Sequence, residues 1–230
     1  MTALVVINLG DYAIFVADKM VSSIKDRVIV HQTEDAIKIV ETPLGLITGS
    51  GAVDLLDPVK EYVKSGYAKE TDDILNFIIK ERERYFGNKK LSIKQAKEDI
   101  DTTGWIMSYI KPSYLRNELK VIAYHPSEND QYFMQIEKNK SRIFFPSDLS
   151  QEFNKDLRDY FINMMEVDLD LSSFENDEHL LSYYSEKALL VIKEMSLISQ
   201  FVSEKCDVGF MHFDNSKGIR YSVKKGDFLK

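Results

Sequence analysis

Thr2 directly follows Met1. Removal of a methionine that precedes a small residue leaves threonine as the first residue, with nucleophile and base in one unit. The hydroxyl attacks, and the α-amine, with an unperturbed pKa of roughly 7.7–8.0, accepts the proton. The chemistry this suits is acyl transfer through an ester intermediate. Asp18 stands sixteen residues further on, closing Val16-Ala17-Asp18. Lys38 sits in Ala36-Ile37-Lys38-Ile39-Val40, with apolar residues on either side. A lysine so placed is partly desolvated and calls for a carboxylate such as Asp18. Its charge lowers the proton affinity of a nearby threonine hydroxyl and amine. Gly49-Ser50-Gly51 reads as a flexible turn opening a helix, where backbone N–H groups of Gly49, Ser50 and Gly51 can meet a developing oxyanion.

These residues need elements that bring them together. Ala3–Leu9 and Tyr12–Ala17 read as strands joined by a tight turn at Gly10-Asp11, and their near-continuous apolarity predicts cover on both faces. A hairpin of this kind returns the chain beside its start, which places Asp18 near Thr2. Val28–His31 and Ala36–Glu41 are further strand candidates, followed by helices at about Ala52–Lys64, Thr71–Tyr85 and Ile93–Ile100. Thr71-Asp72-Asp73 supplies a cap and first turn, and Ser92 caps the third helix. Strands at Trp105–Ile110, Leu119–His125, Gln131–Glu137 and Ser141–Phe145 form a meander. Helices follow at Asp148–Met164 and His179–Phe201, and strands at Asp207–Phe213 and Ile219–Val223 close the chain. The order strands, helices, strands, helices, strands is not the regular alternation of a parallel α/β sheet. It predicts an α+β fold with antiparallel sheets flanked by helices, and one domain over residues 1–230.

With these residues in view, the sequence resembles a proteasome β-type subunit of the N-terminal nucleophile hydrolase superfamily. That family opens its mature chain with threonine, carries aspartate sixteen residues on, then lysine before an apolar pair, then an A-G-x-x-x-D-like turn into the first helix. Here these read Thr2, Val16-Ala17-Asp18, Lys38-Ile39-Val40 and Thr48-Gly49-Ser50-Gly51-Ala52-Val53-Asp54. The resemblance covers the first 65 residues in motifs and the remainder in element order. Lys38 falls about four residues later than the family spacing, accommodated by a longer connection around Ser23–Thr33. Met20 stands where the family has a basic residue. For the family's serine beside the nucleophile only Ser147 and Ser150 are positional candidates, and Phe201-Val202-Ser203-Glu204-Lys205 replaces its D-x-x-S-G segment.

The resemblance implies a four-layer αββα fold and homo-oligomers, with rings among the forms it allows. It implies a threonine-type peptidase or amidase in which Thr2 attacks a peptide or amide substrate after Met1 removal. Lys38 tunes the nucleophile, Asp18 holds Lys38, and no cofactor or metal is needed. Two alternatives stay open: a catalytically inactive structural or binding subunit of the same fold, and a small-molecule amidase of the same superfamily.

Composition narrows the remaining classes. The chain has 230 residues, 44% hydrophobic and 11% aromatic, which excludes a disordered chain. A net charge of −7 argues against nucleic-acid binding, which needs a basic face. No apolar run reaches the ~18 residues of a membrane span, and the first residues lack the basic region of a signal peptide, so the expected location is the cytoplasm. The lone Cys206 excludes an internal disulfide and multi-thiolate zinc sites, and reads as a small core residue. His31, His125, His179 and His212 form no ligand-spaced pair. Asp168, Asp170, Glu175, Asp177 and Glu178 read as a solvated lead-in to the last long helix, and Lys80–Arg84 as an exposed helix face.

Overall fold

The structure is a computed structural model that describes residues 2–25, 28–88, 90–146, 148–149, 155–167 and 171–223. Strand β1 (Leu4–Asn8) and strand β2 (Tyr12–Asp18) form the expected hairpin, in register Leu4↔Ala17 to Asn8↔Ala13. The turn is closed by Leu9 N–H to Tyr12 C=O at 2.8 Å and by Asn8 Oδ1 accepting from Gly10 N–H at 2.9 Å. β1 is buried along its whole length because successive side chains serve different cores. Leu4 and Val6 point into a layer between two sheets, while Val5 and Ile7 point toward helices.

The first sheet has the order β10–β1–β2–β11–β12, with β10 at Lys140–Phe144, β11 at Cys206–His212 and β12 at Asn215–Val223. The second runs β5–β6–β7–β8–β9: Val40–Glu41, Leu46–Ser50, Gly104–Lys111, Glu118–His125 and Asn129–Gln135. Every pairing in both sheets is antiparallel. Leu4, Val6, Phe15, Leu46, Ile106, Val121 and Ala123 fill the space between them. On the far face of the second sheet, Trp105, Met107 and Tyr124 pack on helices α1 (Val53–Lys64), α2 (Thr71–Phe86) and α3 (Ile93–Asp101). On the far face of the first, Val5, Val16 and Val208 pack on α4 (Lys155–Met164) and α5 (Asp177–Ile198). Buried Leu180, Tyr184, Ala188, Ile192 and Met195 recur at three- and four-residue spacing along α5, as a helix with one apolar face requires.

Several expectations shift. Lys38 is not in a strand, because only Val40–Glu41 of the anticipated Ala36–Glu41 pairs. The connection after Asp18 is instead a two-stranded ribbon of its own, β3 (Val21–Lys25) and β4 (Val28–Thr33), paired with neither sheet. The cap of α2 lies one residue earlier than expected: Glu70 and Asp73 form a reciprocal capping box. Ser92 does cap α3, accepting from Gln95 N–H at 3.1 Å. The start of the expected helix at Asp148 runs into residues 150–154, outside the described set, as do Ser147, Ser150, Asp168 and Asp170.

Candidate active site

Antiparallel pairing of β1 with β2 brings residue 3 beside residue 18. Asp18 N–H donates to Ala3 C=O at 3.1 Å, and Ala3 N–H donates to Asp18 Oδ1 at 2.8 Å. Thr2 therefore emerges at the end of the inter-sheet layer, where β6 of the other sheet also ends. There Ser50 Oγ accepts from Thr2 N–H at 3.1 Å and donates to Thr2 C=O at 2.8 Å. One hydroxyl thus fixes both backbone groups of Thr2 and ties the two sheets together. The Thr2 side chain meets Lys38, whose Nζ donates to Thr2 Oγ1 at 2.9 Å, with both residues buried.

Asp18 also serves an end that was not anticipated. Its carboxylate accepts three backbone N–H groups, from Ala3 at 2.8 Å, Met20 at 2.9 Å and Ser203 at 3.4 Å. The hairpin end leaves those donors without a ladder partner, and a buried donor needs an acceptor. Among the described residues no ion pair joins Asp18 to Lys38, although each feels the other's charge. Burial pushes Asp18 up to about 6, against the pull of Lys38 and the three N–H groups. Burial likewise holds Lys38 below the usual lysine range, opposed by Asp18, Asp57 and Asp207. As the donor to Oγ1 at 2.9 Å, its ammonium group places a positive charge directly against that oxygen.

Three neighbours lay outside the sequence-based reading of the site. Asp207, fully buried in β11, accepts from Lys38 N–H at 2.8 Å and pairs with Lys19 at 3.5 Å and Arg220 at 3.2 Å. It anchors the non-strand loop that carries Lys38. A lone carboxylate inside Cys206-Asp207-Val208-Gly209-Phe210 was the available signal, since a charge in an otherwise apolar strand requires partners. Lys60, on α1, is 4% exposed and lowered to about 8 by burial first and by the charge of Lys38 second. Ser203, in the segment that departs from the family pattern, touches Asp18 through its backbone.

The Gly49–Gly51 segment is also built differently from expectation. Gly49 and Ser50 are not in the helix turn but end β6, in register with Trp105 and Gly104. β5 pairs with β6 only at Leu46 and Ile47, so among the described residues no strand pairs with the β5-side edge of β6 over Thr48–Ser50. Gly51 alone makes the turn, at φ +132°, where a Cβ would also stand 2.3 Å from Thr103 Oγ1. That hydroxyl accepts from Ala52 N–H at 2.9 Å, just ahead of α1.

The other candidates resolve into structural roles. Cys206 is buried in the core and its thiol is pushed up by desolvation and by Asp18 and Asp207, which removes nucleophilic character. His31 meets Ser22, His212 packs on Tyr12, and His179 N–H is capped by Asn176. Arg82, expected on an exposed face, reaches the Tyr124 hydroxyl. Among the described residues no three His, Cys, Asp or Glu side chains could hold a metal ion, and no helix is long and apolar enough to cross a membrane.

No protein-family model and no curated protein matches the chain. Solved structures do. Anbu from Hyphomicrobium sp. strain MC1 superposes with a TM-score of 0.58 at 14% identity, over 98% of this chain and 90% of Anbu. A Gly-1 mutant of the same protein gives 0.57 and 14%, over 99% and 91%. Anbu is proteasome-related, and the chain accordingly has a proteasome-like fold.

Proposed function

We propose that this protein is a threonine-type hydrolase of peptide or amide bonds, with Thr2 as nucleophile once Met1 is removed. The observation that carries the reading is Lys38 Nζ at 2.9 Å from Thr2 Oγ1, both buried. The proton of Oγ1 passes to the freed α-amine through a water, while the positive charge of Lys38 stabilises the oxygen as it attacks the substrate carbonyl. Backbone N–H groups of the Gly49–Gly51 segment, at the β5-side edge of β6, face the oxyanion. Collapse of the tetrahedral species breaks the C–N bond, the amine leaves with the proton, and a Thr2 ester remains. Water then hydrolyses that ester and restores the hydroxyl. Asp18 acts here as a positioning residue, holding the backbone on either side of the hairpin end.

In this reading the three apolar cores, helix on sheet, sheet on sheet and sheet on helix, constitute one four-layer αββα domain. The protein works in the cytoplasm as a homo-oligomer. A second reading, an inactive structural subunit, is favoured by the closure of the site, where Thr2 is 2% exposed and Ser50 occupies both its backbone groups. A screen with peptide and acyl-amide probes, read by mass spectrometry for an adduct on Thr2, separates the two. Expected are a Met1-free N-terminus, an acyl adduct on Thr2, and no turnover in Thr2→Ala. Full activity in Thr2→Ala would overturn the hydrolase reading, and a retained Met1 with no adduct would favour the structural one.

A further inference from the structure

A cavity of about 380 Å³ has Ser50, which holds Thr2 by both backbone groups, as part of its wall. Across from Ser50 the lining is Arg142 and Phe144 of β10, Phe145 just beyond that strand, Arg158 of α4, and His125 at the end of β8. Close approach of these strands depends on Gly104, where a Cβ would come within 2.7 Å of His125 and 3.0 Å of Phe144. Each guanidinium lies over a ring, Arg142 at 5.4 Å from the Phe144 centroid and Arg158 at 5.2 Å from that of Phe145. The rings hold the two planar cations in place without neutralising them.

The polar accounting of this wall is incomplete. Both Arg142 and Arg158 have a buried Nε–H with no acceptor among the described residues. Arg142 is paired with Glu128, but no described residue forms an ion pair with Arg158. Burial holds His125 below the ordinary histidine range, so its ring contributes no charge at neutral pH. A further carboxylate, Asp101, also lines the cavity, and its charge acts on His125. A buried N–H without an acceptor is uncommon in folded proteins, and a guanidinium presents Nε–H and Nη–H side by side as a fork for one carboxylate.

We propose that this cavity is a substrate subsite in which Arg158, supported by Arg142, receives a carboxylate carried close to the scissile bond. The inference rests on the hydrolase reading above and adds to it the substrate class: acidic peptides or acyl amides. Arg142, already engaged by Glu128, contributes its field, while Arg158 makes the direct contact. Asp101 opposes the incoming charge and tempers the preference.

Paired fluorogenic peptides that differ only in Asp against Asn, or Glu against Gln, at positions flanking the scissile bond provide the test. Expected is a kcat/KM higher by about tenfold or more for the acidic member. Arg158→Gln should erase that advantage while leaving the neutral peptides within about twofold. Arg158→Lys, which keeps charge and loses the fork, should fall between, and Asp101→Asn should widen the preference. Equal loss on acidic and neutral peptides, or no loss at all, would overturn the subsite while the hydrolase reading stands. If the protein cleaves none of the peptides, calorimetric titration of the full chain with the same acidic peptide decides separately. Binding that Arg158→Gln abolishes supports the subsite even as the hydrolase reading fails. Binding that is absent, or unchanged by the substitution, overturns the subsite as well.

Discussion

The layer between the two sheets changes character along its length. Its middle is apolar, with Leu4, Val6, Phe15, Ile106, Val121 and Ala123 all at 0% exposure. Its Thr2 end, also buried, holds Asp18, Lys19, Lys38 and Asp207, with Lys60 close enough to feel the charge of Lys38. The middle stabilises the fold by about 25 cal/mol for each Å² of apolar surface withdrawn from water. The end works against that gain. Asp18 is raised, and Lys38 and Lys60 are lowered, each toward its neutral form and each by burial first. Even the two buried aspartates differ. Asp18 accepts from three backbone N–H groups, whereas Asp207 pairs with the cations of Lys19 and Arg220 and accepts from Lys38 N–H. A fold that needed only stability would fill this end with leucine and valine. Retention of the charges where Thr2 lies is the argument for chemistry there.

The contrast is open to direct attack, beginning with the largest effect. Lys38→Met should lower kcat/KM by about 10²–10⁴-fold, because it removes the positive charge that stabilises Oγ1 as it attacks, while the melting temperature holds or rises. A large fall in melting temperature would show that Lys38 is chiefly structural. Phe15→Ala, in the apolar middle, should do the reverse. Its cost is about 3–5 kcal/mol of stability by denaturant titration, with an unaltered pH–rate profile in the protein that remains folded.

Lys60→Met sharpens the comparison through pH. In the folded protein Lys60 titrates at about 8, below its ordinary 10.5, so between those values the unfolded chain binds more protons. Wild-type stability therefore rises with pH across that window. The methionine variant should be more stable by roughly 2–3 kcal/mol below about pH 8 and lose that advantage by about pH 10.5. An advantage independent of pH would mean that packing, not charge, is being relieved. The smallest effect is expected from Ser50→Ala, about 1 kcal/mol for the lost hydroxyl contacts, seen as faster hydrogen exchange at Ala3.

The elements themselves were legible because their signals are local. Apolar continuity marked β1 and β2, spacing marked α2 and α5, and Ser92 marked the start of α3. The ribbon β3–β4 was harder to read, since Val21-Ser22-Ser23-Ile24-Lys25 has little apolar alternation. The hairpin alone predicts the return of Asp18 to the start of the chain, and Asp18 lies beside Ala3, the residue after Thr2. The nearness of Lys38 to Thr2 was expected from a resemblance, but its loop conformation was not, because its anchor Asp207 is 169 residues away.

Residue order by itself thus determined the hairpin that returns Asp18 to the start of the chain, the helices, and the presence of a threonine, a lysine and an aspartate fit for acyl transfer. Only the tertiary structure decided what each of them touches. Asp18 accepts from backbone N–H groups, Ser50 acts through its hydroxyl, and Asp207 and Lys60 join the charged end from distant elements. The physical reason is that periodicity and capping act over a few residues, whereas a buried polar group takes its partner from whatever strand register and sheet packing bring within hydrogen-bond reach.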